Sequence, residues 1–146
     1  MLTTSYTPTL VTPWLDLAFS VWTLPGLSSR ERELAILSSL AHTHAAYSTY
    51  AHTRLAEAAG LSSNQVADVR EGKLPGGLTD REKVAYEFAS ELARMRGPLD
   101  EDTFQKAKEM LGIESVVTLM HTVGSFMYSS VLFNAADVPL PEGEKI

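Results

Sequence analysis

Residues 28–41 read Ser-Ser-Arg-Glu-Arg-Glu-Leu-Ala-Ile-Leu-Ser-Ser-Leu-Ala, and this stretch decides the fold class. Its first four residues form a capping box, in which Ser28 can cap the Glu31 amide while the Glu31 carboxylate returns to the Ser28 amide. Leu34, Leu37, Leu40 and Ala41 then recur at helical spacing. The same grammar recurs along the chain. Thr12-Pro13 predicts a short helix near residues 14–22, stopped by Pro25-Gly26. A second strong helix is expected from about Thr43 to Ala59, closed by Gly60 in the C′ position. Ser62 to Gln65 caps a short helix that stops at Gly72. Thr79 to Glu82 is another box, opening a helix with Val84, Ala85, Phe88, Leu92 and Met95 on one side and Gly97-Pro98 as its stop. Two more helices are expected over 102–111 and 114–136. No β-branched run alternates with period two. The reading is an all-α domain of six to seven helices spanning 1–146, with an N-terminal extension over 1–26 and an extended tail over 137–146.

Composition narrows the function classes. The 146 residues carry a net charge of −6, with 45% hydrophobic and 21% charged residues. Dispersed charge of that sign offers no basic stripe for phosphate backbones, so nucleic acid is not an expected partner. No uninterrupted apolar run reaches the roughly 18 residues of a membrane span, and the N-terminus lacks the basic start of a signal peptide. The chain has no cysteine, which removes disulfides, thiolate nucleophiles and Cys-ligated metals together. A cytoplasmic protein is the expectation.

Several polar residues fall on apolar stripes. Glu33 precedes Ile36, Leu37 and Leu40 by three, four and seven positions, so it shares their face or pairs with Arg30 at its edge. His52 shares a stripe with Ala45, Ser48, Leu55, Ala56 and Ala59. It reads either as a buried histidine satisfied by a neighbour or as a proton carrier, since imidazole titrates near neutrality. The segment 44–52, His-Ala-Ala-Tyr-Ser-Thr-Tyr-Ala-His, is short of bulky aliphatics, as a helix lining a pocket would be. On the last helix His121, Ser125 and Tyr128 lie at i, i+4 and i+7, either as a seam at an interface or as a pocket wall facing Glu33 and His52. The four histidines lack metal-ligand spacing, and no nucleophile elbow occurs; no metal and no cofactor are expected.

Leu27 to Leu37, LSSRERELAIL, resembles the opening of the carboxymuconolactone decarboxylase and alkyl hydroperoxidase D-like (AhpD-like) superfamily. Tyr47 to Gly60, YSTYAHTRLAEAAG, is similar to its Y-E-W-x-x-H-x-x-x-A-x-x-A-G helix. Leu78 to Lys83 resembles the start of its next long helix, and Gly124 and Asn134 match a glycine and an asparagine in its closing helix. The resemblance covers about residues 27 to 138. It implies an all-α homo-oligomer, trimer or hexamer, with pockets walled by helices near subunit boundaries. By the spacing of the redox branch, Glu33 and His52 match its glutamate and histidine, while its two cysteines fall on Ala45 and Ser48. Thiol peroxidase chemistry is thereby excluded.

The remaining acid/base pair suits the decarboxylase-like branch. The resemblance thus implies a cofactor-independent lyase or isomerase for a small oxygenated, carboxylated or aromatic metabolite. Glu33 and His52 are the expected catalytic pair. Tyr47, Ser48, Tyr50, His44, His121 and Tyr128 are the expected substrate-binding set, and Trp14, Phe19 and Trp22 could cover the pocket or pack between subunits. The alternatives are a non-catalytic ligand-binding or assembly protein, and a cofactor-free hydrolase or cyclase.

Overall fold

In a computed structural model, which describes residues 7–145, the chain forms seven helices and, among those residues, no strand. They are α1 (Pro8–Thr23), α2 (Ser29–Thr43), α3 (Ala46–Ala58), α4 (Ser63–Arg70), α5 (Asp80–Arg94), α6 (Glu101–Leu111) and α7 (Ile113–Ala135). All three capping boxes form as their sequences demand, on Ser28, Ser62 and Thr79. Each satisfies amide donors that a helix start leaves without intrahelical acceptors.

Helix α2 is the axis of the bundle. Every residue from Glu31 to Leu40 is buried, because α3, α4, α5 and α7 surround it. One side, through Ala35, joins a core with Phe88, Leu92, Leu119 and Val123. The other, through Leu34, Ile36, Leu37 and Leu40, packs with Ala56, Val66 and Val69. Fully burying each such aliphatic or aromatic side chain contributes about 1.5–3 kcal/mol. The apolar burial therefore carries polar residues on α2 into the interior with it, and the chain must satisfy them.

It does so with specific partners. The buried Arg32 guanidinium donates to the carbonyls of Val21 (2.8 Å) and Leu24 (2.7 Å), tying the end of α1 to α2. Burial lowers its pKa, with the neighbouring Glu33 carboxylate opposing. Glu31 pairs with Arg81 (2.6 Å), whose other nitrogens reach the Gly26 and Leu111 carbonyls and the Ser115 hydroxyl. Gly26 sits at φ +91°, and a Cβ there would lie 3.0 Å from both the Ser115 amide and hydroxyl. Only glycine allows that approach without strain.

Three expectations about boundaries need correction. Helix α1 starts at Pro8, not after Thr12, and Pro13 lies inside it. The missing amide at Pro13 leaves the Thr9 carbonyl without its helical donor, and both residues are exposed, where water can serve instead. The break between α2 and α3 falls at His44-Ala45, so α3 begins at Ala46 rather than Thr43. His44 adopts the left-handed conformation (φ 54°, ψ 34°). No glycine or proline marks this corner. The tertiary structure holds it instead: Asn134 on α7 donates to the Thr43 carbonyl (2.7 Å), and the Thr43 hydroxyl donates to Ser130 (3.0 Å). Met95 is the exposed C-cap of α5 rather than part of its packed face.

Helix α7 has inverted polarity. Its buried face carries Ser115, Thr118, Thr122, Ser125, Ser129 and Ser130 beside Val116, Leu119 and Val123. Its outer face exposes Ile113, Val117, Met120, Tyr128 and Val131. Contrary to expectation, this 23-residue helix is long and apolar enough to cross a membrane by length and composition, the only such helix among the described residues. It packs against α1, α2, α3, α5 and α6.

Candidate active site

Glu33 comes from the buried axis α2 and His52 from the middle of α3, one turn after Ser48. The two meet across the α2–α3 contact: His52 Nδ1 lies 2.8 Å from Glu33 Oε2. Both side chains are largely withdrawn from water, at 10% and 3% exposure. The alternative partner for Glu33, Arg30, is engaged elsewhere, with Glu82 and with the Gly60 carbonyl. Burial acts to raise the Glu82 pKa, but the Thr79 amide and Arg30 outweigh it, and the carboxyl is held below its ordinary range.

A carboxylate can only accept, so the pairing calls for a proton on Nδ1; in the neutral ring that leaves the lone pair on Nε2. Nε2 has no protein partner among the described residues. The ring is held by aromatic contacts, edge-on to Phe126 at 4.7 Å between centroids and tilted against Trp22 at 5.8 Å. A ring fixed on both sides and bonded at one nitrogen presents the other in a defined direction.

His52 lines a cavity of about 350 Å3 between α1, α3 and α7. Helix α1 supplies Ala18, Phe19 and Trp22, and α3 supplies Tyr47, Ser48 and Ala51. Helix α7 supplies Ser125, Phe126, Ser129 and Phe133. Phe133 takes edge contacts from Trp14 and Tyr47. Trp14 Nε1 donates to the Ser129 hydroxyl (3.2 Å), which donates to the Ser125 carbonyl (3.0 Å). The hydroxyls of Ser48 and Ser125 have no partner within the described chain and are not sealed off from solvent. The size suits a small organic ligand.

The sequence-derived set thus divides. Glu33, His52, Tyr47 and Ser48 converge, with Ser125 from α7. Tyr50 faces away, where Arg54 lies over its ring and bonds its hydroxyl. His44 lies at the α2–α3 corner and does not line that cavity; it borders two other depressions, one of which shares Tyr47 and Phe133 with it. His121 and Tyr128 are on the exposed face of α7, not on a wall facing Glu33 and His52. His121, Ser125 and Tyr128 share one stripe by spacing, but Ser125, with Ser129, falls on its buried edge, and His121 and Tyr128 fall on its exposed edge. Leu55 and Ala59 likewise leave the His52 stripe, and Leu55 is exposed. Phe126 and Phe133 escaped the sequence reading. Their i, i+7 spacing beside Ser125 and Ser129 was the available signal.

No cluster of metal-ligating side chains occurs among the described residues. A larger depression of about 410 Å3 lies over α5 and α6, but its charged lining includes the Lys106–Glu87 pair and neither Glu33 nor His52.

The molecule is therefore an all-α protein built on a buried carboxylate–imidazole pair that opens on an aromatic cavity. Residues 8–91 match the carboxymuconolactone decarboxylase family, and the chain belongs to that family, as a cysteine-less member of the AhpD-like superfamily. The match spans α1 to most of α5 and includes both Glu33 and His52. No curated protein matches the chain.

Proposed function

We propose that this protein is a cofactor-independent lyase or isomerase that moves protons on a small oxygenated metabolite, with His52 as the acid/base group and Glu33 as the residue that positions it. The observation carrying this reading is the 2.8 Å Glu33–His52 bond, with no partner for Nε2 among the described residues, on a histidine that lines the cavity. A merely structural pair has no reason to leave a nitrogen open to a ligand-sized space, which favours catalysis over the non-catalytic alternative. Loss of CO2 and isomerisation share one need, an enolate stabilised as it forms and then protonated. Ser48 and Ser125 offer hydroxyl donors to the oxygen, and His52 carries the proton.

The test is solvent deuterium exchange at the carbon beside the carbonyl of 1-tetralone, followed by NMR. His52→Gln and Glu33→Gln should each slow it by at least about 100-fold without unfolding. Wild-type rates in both would overturn the assignment. Self-assembly belongs to the same proposal and is supported by the apolar outer stripe of α7, since exposed contiguous apolar surface marks interaction sites.

A further inference from the structure

The cavity is defined as much by its charge as by its shape. Among the described residues, none of its lining side chains is an arginine or lysine. The arginines that flank Glu33 and His52 in the chain are committed: Arg32 to the two α1 carbonyls, and Arg54 to Glu144 and Tyr50. The single titratable base on the wall, His52, already has a carboxylate on its other nitrogen. Protonating His52 makes the pair neutral rather than positive, so it offers an incoming anion no net charge.

An anionic ligand would then have to shed water in an aromatic pocket beside Glu33 with two serine hydroxyls and no cation to replace it, which is unfavourable. Planar neutral ligands face no such penalty. Trp22, Phe126 and Phe133 provide apolar ring surface, and Ser48 and Ser125 provide hydroxyls for one oxygen.

From this lining we infer that the substrate is an uncharged ring-bearing ketone or its enol, and that the reaction is a proton shift rather than loss of CO2. The inference rests on the acid/base reading above and narrows it. In that shift His52 Nε2 takes the proton from a carbon beside the carbonyl. The C–H electron pair becomes a carbon–carbon double bond, and the carbonyl π pair moves to oxygen, against the serine hydroxyls. As the carbonyl re-forms, protonated His52 returns its proton, or a solvent proton exchanged with it, to carbon. In a plain ketone this is the same carbon; where the substrate already carries a neighbouring carbon–carbon double bond, it is the far end of the diene. No oxidant, metal or leaving group is required.

Equilibrium dialysis of the full chain with 2-naphthol and with 2-naphthoate, at pH 7.5, tests this without turnover. The two probes share a ring system and differ in charge. The phenol should bind more tightly by at least about tenfold, equivalent to about 1.4 kcal/mol. Equal or tighter binding of the carboxylate, or no binding of either, overturns the inference and leaves the exchange assay to judge the acid/base reading. A tenfold preference for the phenol, found together with unaltered exchange in the His52 and Glu33 variants, upholds the pocket's selectivity and sinks the proposed reaction.

Discussion

Replacing Glu33 by glutamine is the most informative single change, because it keeps the shape of the pair and alters one property. In the wild-type protein the carboxylate only accepts, so Nδ1 donates and, in the neutral ring, Nε2 holds the lone pair. A glutamine amide can accept or donate. Where it donates, the imidazole proton moves to Nε2, and the face toward the cavity loses its base. General acid/base catalysis is worth about 10²–10⁴-fold, so the variant should lose about 2.7–5.5 kcal/mol of barrier lowering. Stability should suffer much less than in a variant with no hydrogen-bonding group there, since breaking a buried pair outright costs about 3–5 kcal/mol. The assay is deuterium exchange into 1-tetralone, read beside a thermal melt. A folded variant that exchanges within about threefold of wild type would refute the tautomer argument, because general acid/base catalysis of this size cannot survive loss of its base.

Three further outcomes follow from the same geometry. Arg32→Leu should cost about 2–3 kcal/mol in urea unfolding, through loss of a charged donor's bonds to Val21 and Leu24; Arg32→Lys should restore little of it, because an ammonium lacks the planar fork. His42, bonded to Ser90, has its pKa lowered by burial, with Arg94 and His44 adding to the effect and Glu91 opposing. Above its ordinary value of 6.5 the ring is neutral in both states; below it the unfolded chain takes up a proton that the folded chain resists. Stability should therefore fall as pH drops through 6.5 and level off below the folded pKa, and His42→Gln should remove that part of the slope in urea midpoints. Val117→Glu, placing a charge in the outer stripe of α7, should shift the protein toward monomer in sedimentation velocity; a monomeric wild type, or an unchanged variant, would contradict assembly through that face.

How much of this was legible in the residues depended on the range of the interaction. The capping boxes on Ser28, Ser62 and Thr79 act over three residues, and the Gly60 stop acts over one turn, so local sequence specified them. The corner at His44 carries no local signal, because the donor that holds it, Asn134, is 91 residues away. A tyrosine on α3 illustrates the same limit within the site. Tyr47 and Tyr50 are equally polar and aromatic in the sequence, and only the packing of α3 against α7 turns one toward Phe133 and the other toward Arg54.

The sequence by itself determined an all-α chain and the absence of thiol chemistry, because periodicity, caps and composition are properties of neighbours along the chain; that Glu33 and His52 act as a pair was what the family resemblance implied. Tertiary structure decided that the pair meets at 2.8 Å, that Ser125, Phe126 and Phe133 join it, and that His44, His121, Tyr128 and Tyr50 do not. It decided also that, among the described residues, no arginine or lysine lines the cavity. The physical reason is common to all of these: burying the apolar face of α2 sets the rotation of the helices around it, and that rotation chooses which polar side chains share a space.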